Sequence, residues 1–183
     1  RRITVIDSLP PRLELIGETP VTHEAGAPYV DAGARWTDEA DGNGTVAANG
    51  TVDWMKTGDY VLTYDYTDRA GNLAVTVVRS VRVVDTAPPT IILKGSPEME
   101  LSVWMPFEDP GAEASDVTDG AIGALVKVTG EVNTNAPGTY ELIYEVSDAE
   151  GNAATPVQRM VTVYNRVPTE LLLDGGAVEE NLP

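Results

Sequence analysis

Residues 58–72 read Gly58-Asp59-Tyr60-Val61-Leu62-Thr63-Tyr64-Asp65-Tyr66-Thr67-Asp68-Arg69-Ala70-Gly71-Asn72. Tyr60, Leu62, Tyr64 and Tyr66 alternate with Val61, Thr63 and Asp65. A period of two puts the first set on a core face and the second outward, which is the pattern of a β-strand. The Asp-x-x-Gly-Asn that follows is turn chemistry, with glycine supplying a positive φ. Beyond it, Val75, Val77, Val81 and Val83 predict the return strand. The stretch therefore reads as a hairpin with one buried face.

The same stretch recurs. Gly138, Tyr140, Leu142, Tyr144, Asp148, Gly151 and Asn152 lie 80 residues after their counterparts, and Val157, Val161 and Val163 follow. Working outward, Pro10-Pro11, Leu13, Leu15 and Gly17 match Pro88-Pro89, Ile91, Leu93 and Gly95 at an offset of 78. So do Tyr29/Phe107, Asp31/Asp109, Gly33/Gly111, Asp38/Asp116 and Asp41-Gly42/Asp119-Gly120. A fixed internal period means one structural unit used twice. The predicted units are residues 10–87 and 88–167, joined near Asp85-Thr86-Ala87-Pro88-Pro89. Residues 1–9 match the end of a unit and are expected to be the last strand and linker of a preceding module. Pro168 matches Pro88, so residues 168–183 are expected to begin a following one.

About seven short strands in each unit, with regular turns and no helical stripe, predict an all-β chain of two tandem immunoglobulin-like antiparallel β-sandwiches. Tyr60, Leu62, Tyr64, Val77, Val81 and Val83 are the expected core of the first, and Tyr140, Leu142, Tyr144, Val157, Val161 and Val163 that of the second. The chain has no cysteine, so no disulfide pins the sheets and burial must hold them.

The combined motifs resemble a known family. The Pro-Pro start, Tyr/Phe-x-Asp-x-Gly-Ala, Asp-x-x-Asp-Gly, Gly-x-Tyr-x-Leu-x-Tyr and Asp-x-x-Gly-Asn together are similar to the bacterial immunoglobulin-like surface repeat, also found appended to pesticidal crystal proteins. The tail from Pro168-Thr169-Glu170-Leu171-Leu172-Leu173 to Val178-Glu179-Glu180-Asn181-Leu182-Pro183 resembles the start of a cadherin-like repeat. The resemblance implies an extracellular or cell-surface, multi-domain setting and supplies no activity.

The formal net charge of −17 and sequence pI of about 4.2 argue against a nucleic-acid partner, which would attract a basic surface. No apolar run reaches the roughly 18 residues of a membrane span, so no membrane insertion is expected here. Catalytic patterns are missing: the single histidine, His23, faces Leu101 in the repeat register and reads as a packing position. No nucleophile elbow, zinc-protease or phosphate-loop motif is present, and the chain is not expected to be an enzyme. Trp36, Trp54 and Trp104 do not share repeat positions, yet could serve a carbohydrate-binding accessory module, the alternative to a spacer or adhesin segment.

The acidic side chains carry the chemistry. Sandwich topology brings the loop after the second strand, the loop of the final hairpin and the incoming linker to one end. In the first repeat that end is expected to gather Asp7, Asp38, Asp41, Asp68 and Asn72. In the second it gathers Asp85, Asp116, Asp119, Asp148 and Asn152. Hard oxygen ligands of this kind suit calcium, which takes 6–8 oxygens; the plain alternative is that each caps its own turn. Asp31 and Asp109 are expected at the opposite end as turn-formers. The expected partners are neighbouring modules of the same chain, with a surface glycan or protein as the alternative.

Overall fold

The computed structural model describes residues 1–165; the expected start of a following module at 168–183 lies outside them. The described chain is all-β apart from one short 3-10 turn. It divides into two compact units. One comprises Arg1–Pro88 with the loops Asp116–Gly120 and Asp148–Asn152, and the other comprises Pro89–Ser115, Ala121–Ser147 and the chain from Ala153 onward.

The first repeat has six strands: β1 (Arg12–Leu15), β2 (Val21–Glu24), β3 (Ala34–Asp38), β4 (Gly42–Val46), β5 (Gly58–Tyr64) and β6 (Val77–Val84). They form two sheets, β1-β3-β4 and β2-β6-β5. The second has seven: β7 (Thr90–Leu93), β8 (Glu98–Ser102), β9 (Ala112–Asp116), β10 (Gly120–Ala121), β11 (Lys127–Thr129), β12 (Gly138–Glu145) and β13 (Val157–Tyr164). Its sheets are β10-β9-β7 and β11-β12-β13-β8. Each repeat is thus an immunoglobulin-like sandwich, as the hairpin pattern predicts. The strand that β11 adds is reduced in the first repeat to an isolated bridge between Asn49 and Thr63.

One feature departs from a purely antiparallel sandwich. The first strand of each repeat is split across the two sheets. β1 pairs antiparallel with β3, whereas β2 runs parallel to β6. β7 and β8 repeat this with β9 and β13. A chain cannot pair β6 in parallel by a tight hairpin. Crossing from one sheet to the other through Gly17, at φ +84°, makes the pairing available. Residues Arg1–Pro11 contain no strand; the segment expected to close a preceding module has no sheet among the described residues to join.

The hairpin register sets the core. Tyr60 pairs Val81, Leu62 pairs Arg79 and Tyr64 pairs Val77. Leu62, Tyr64, Val81 and Val83 are buried, as are Leu142, Tyr144, Val161 and Val163; Tyr60, Val77, Tyr140 and Val157 are half-buried. The two half-buried tyrosines turn their hydroxyls back to the chain four residues earlier, Tyr60 to the Lys56 carbonyl and Tyr140 to that of Ala136, both at 2.9 Å. The bond anchors the entry to the strand.

The valine rhythm of β6 and β13 is broken at Arg79 and Arg159, which sit on the core face 1% and 0% exposed. Burying a guanidinium costs several kcal/mol where acceptors do not meet it; both arginines are met at their Nη groups, and each Nε is buried without a hydrogen-bond partner among the described residues. Arg79 donates to the Asp31 carboxylate and to the carbonyls of Ile16 and Gly33. Tyr64 donates its hydroxyl to the same carboxylate at 2.8 Å, and its ring lies 5.8 Å from the Arg79 guanidinium carbon. Arg159 repeats the arrangement with Asp109, the carbonyls of Lys94 and Gly111, and Tyr144. Asp31 and Asp109 do cap local turns, at Gly33 and Gly111, but the larger role is as counter-ion in the core. The signal for it was an arginine in phase with buried valines on both hairpins.

Breaking a buried ion pair from one side is costly, so Arg79→Ala or Arg159→Ala should lower unfolding free energy in urea by about 3–5 kcal/mol. Tyr144 is pushed up to about 12, by burial first and then by donating to the Asp109 carboxylate; Tyr64 is raised for the same reasons. A raised phenol favours the neutral folded form. Its stability is complete below the ordinary tyrosine value of about 10 and is lost as pH climbs from there through the folded value. Alkaline titration followed by tyrosinate absorbance should show unfolding coupled to ionisation, with a shallower pH slope in a Tyr64→Phe, Tyr144→Phe double variant.

Candidate metal sites

Asp85 directly follows β6, Asp116 ends β9, and Asp148 opens the loop of the β12–β13 hairpin. One carboxylate oxygen from each lies within 4.8 Å of the others. Asp7, Asp38 and Asp68 form the corresponding triad in the first repeat, to the same limit. The members match in register: Asp7/Asp85 and Asp38/Asp116 at an offset of 78, Asp68/Asp148 at 80. Asp85, Asp148 and Asp68 are buried; Asp116, Asp38 and Asp7 are half-buried.

Local turns aim these acids. Asp116 accepts the backbone N–H groups of Thr118 at 2.8 Å and Asp119 at 3.1 Å, together with the Thr118 hydroxyl at 3.0 Å. Asp148 accepts the Asn152 backbone N–H at 2.7 Å and its amide at 2.8 Å. Gly151, at φ +92°, allows the chain to fold back that tightly. Asp85 accepts from the Ala87 N–H at 3.1 Å and from the Thr118 hydroxyl. Thr118 thus bridges two of the three acids by sharing one hydroxyl proton between them, donating to one at a time. Its counterpart in the first repeat is Ala40, so the first triad has no such bridge.

The other four expected residues hold the frame. Asp119 accepts the Ala149 N–H at 2.7 Å and Asp41 that of Arg69 at 2.8 Å, each tying the loop after the second strand to the hairpin loop. Asn152 faces two acceptors, the Asp85 carbonyl at 3.1 Å and the Asp148 carboxylate, so its –NH₂ end must point there. Asn72 does the same for Asp68 at 2.8 Å and the Asp7 carbonyl at 3.5 Å. In this geometry both asparagines present donors to the cluster.

Electrostatics oppose this gathering. Two carboxylates 4.8 Å apart repel by about 3–4 kcal/mol at an effective dielectric of about 20. Burial pulls Asp116 upward, but the N–H groups of Asp119 and Thr118 and the Thr118 hydroxyl outweigh it and hold the acid below its ordinary value. At Asp68 burial is likewise outweighed, by the Asn72 side chain and the backbone N–H groups of Asn72, Gly71 and Ala70. The donors thus favour the ionised forms of Asp116 and Asp68, one acid in each triad. Calcium–oxygen distances of 2.3–2.6 Å place ligand oxygens at most about 5 Å apart around one ion, and both triads fit inside that span.

Two segments, residues 13–83 and 91–163, match the family described as bacterial surface protein, Ig-like domain. The chain belongs to this family. Pesticidal crystal protein Cry22Aa of Bacillus thuringiensis is a relative, 33% identical over 133 residues, which is 69% of this chain and 18% of that protein. The chain therefore spans under a fifth of that relative's length. Among solved structures, the lipoprotein BT2262 from Bacteroides thetaiotaomicron is 29% identical over 43% of this chain and 38% of its own, with a TM-score of 0.39. The M60 catalytic domain with the CBM51-1 and CBM51-2 domains of Clostridium perfringens ZmpB aligns over 88% of this chain and 31% of its own, at 12% identity and a TM-score of 0.48.

The remaining candidates of these Ig-like repeats do not assemble into a site. His23 donates from Nε2 to the Ala27 carbonyl at 2.7 Å and packs edge-on against Tyr29. Trp36 stacks on Tyr66 with ring centroids 4.3 Å apart, Trp54 lines a groove with Tyr29 and Asp31, and Trp104 is exposed elsewhere. No helix among the described residues is long and apolar enough to cross a membrane.

A carboxylate whose folded value is depressed contributes stability above its unfolded value of about 4 and loses it as pH falls through the folded one. In chelator, the urea midpoint should therefore fall as pH drops below about 4. Asp116→Asn should make that fall shallower.

Proposed function

We propose that the chain is a non-catalytic spacer or adhesin segment of a bacterial surface or secreted protein, in which calcium held by Asp85, Asp116 and Asp148 fixes the linker to the loops of the repeat it enters. The observation that carries the reading is that the two acidic triads occupy matching positions of both repeats. An isolated acidic cluster is common; a cluster that each repeat builds from its linker, its second strand and its final hairpin follows the architecture. The cation would remove the repulsion among the three acids and convert a hinge into a fixed joint, which suits a surface stalk. An affinity of about 10⁻⁴–10⁻³ M would suffice in calcium-rich external fluid. Asp7, Asp38 and Asp68, the first triad, form the other site, looser because Ala40 stands where Thr118 bridges.

A carbohydrate-binding accessory role is the second reading. It draws on the open groove of about 640 Å³ lined by Tyr29, Asp31 and Trp54. Because Trp36 and Trp104 have other surroundings, that groove offers one indole for stacking, and the spacer reading is preferred.

Thermal melting and small-angle scattering with calcium and with chelator test the proposal. Calcium at a hundred times its dissociation constant should stabilise the fold by about 2.7 kcal/mol per site, and Asp116→Asn should abolish most of the effect at the second triad. Unchanged melting and unchanged maximum dimension would leave these acids as turn residues.

A further inference from the structure

We propose that each repeat carries tension along the chain through its parallel strand pair, and that the second repeat resists such tension more than the first. The inference rests on the spacer reading for the origin of the load and owes nothing to calcium. In the first repeat β2 runs parallel to β6, with Val21, Thr22, His23 and Glu24 opposite Val81, Arg82, Val83 and Val84. The chain enters this pairing beside Val81 and leaves it beside Glu24, at opposite ends. A pull on the two ends of the repeat therefore drives the strands past each other lengthwise. The bonds of a parallel pair are evenly spaced along it, so they share the load and give way together. Had the first and last strands been antiparallel, entry and exit would lie at the same end, and the pair would open one bond at a time.

A second tie lies on the same path. Between β1 and β2 the Ile16 carbonyl accepts from Arg79, a residue of β6. In the second repeat the Lys94 carbonyl accepts from Arg159 of β13. A buried charged donor thus holds the entering chain to the last strand before the load reaches the parallel pairing. Forced unfolding is governed by the unfolding rate rather than by equilibrium stability, so bonds placed on this path count for more than bonds elsewhere.

The two repeats differ at the first rung. β8 lies along β13 over five residues, Glu98–Ser102 opposite 160–164, whereas β2 lies along β6 over four. The Met160 N–H donates to the Pro97 carbonyl at 2.8 Å. The matching Ser80 N–H donates instead to the Thr19 hydroxyl at 3.1 Å, so a rotatable side chain stands in for a backbone rung. The last rungs are alike: the Ala25 N–H donates to the Val84 carbonyl at 2.8 Å, and the Val103 N–H to that of Tyr164 at 3.1 Å. The longer ladder belongs to the second repeat.

Single-molecule pulling at constant force on the whole chain, held by its two ends in chelator, tests this. Two unfolding events are expected, one fast and one slow. Ala25→Pro removes the bond to Val84 and should speed the fast event by about 2–10-fold, the worth of one hydrogen bond; Val103→Pro should do the same to the slow event. Ala74→Pro is the control. It removes a bond of similar length in the first repeat, from the Ala74 N–H to the Tyr66 carbonyl at 2.9 Å, off the load path. It should leave both rates under force unchanged while lowering the urea midpoint as Ala25→Pro does. Acceleration of the slow event by Ala25→Pro would overturn the ranking of the repeats. Equal acceleration by Ala74→Pro and Ala25→Pro, or none by Ala25→Pro and Val103→Pro, would overturn the load path.

Discussion

A guanidinium without water around it dictates much of each repeat. Arg79 and Arg159 sit among valines and tyrosines, and their acceptors come from three separate places: the carboxylate of Asp31 or Asp109, and carbonyls at the end of the first strand and before the second. Meeting the arginine therefore fixes where the first strand leaves its sheet. That exit is where β1 gives way to β2, so the split first strand and the parallel pairing with β6 are consistent with the demand of one buried charge. The tyrosine beside it completes the carboxylate's shell. In a chain without disulfides, this three-residue cluster ties β5 and β6 of one sheet to the chain at the ends of β1 and β3 of the other, and its counterpart does the same in the second repeat.

Charge is handled differently at the acidic end. There, among the described residues, the three acids of each triad have no ion pair with a basic side chain and are held by N–H and O–H donors; Arg69 pairs only with the neighbouring Asp41. Thr118 lies within reach of two acids and can donate its one proton to either, and Asn152 holds a carboxylate and the linker carbonyl. These bonds pre-order the loops around the acids. Such pre-organisation lowers the cost of ordering a site on binding. It also separates the roles within the acidic set: three side chains converge, and the neighbours keep them converged.

Period-two alternation, turn residues and the internal repeat were local signals, and they determined the sandwich class, the hairpins and the inward face of each hairpin, of which Leu62, Tyr64, Val81 and Val83 and their counterparts are buried and Tyr60, Val77, Tyr140 and Val157 half-buried. A strand's side chains alternate regardless of what the sheet packs against, so Tyr64 and Val81 could be placed inward from sequence alone. The topological rule that one end gathers linker, loop and hairpin likewise named Asp85, Asp116 and Asp148 together. Tertiary structure decided the rest. Asp31 and Asp109 read as turn residues because their turn bonds are two residues away, while their arginine partners lie 48 and 50 residues along the chain. Asn152 reads as a ligand because residue type does not reveal which end of its amide faces the cluster, and Asp119 because its bond to the Ala149 N–H, 30 residues along, does not show in the sequence. In each case the deciding contact is made by a residue distant in sequence, and only the folded chain brings it within reach.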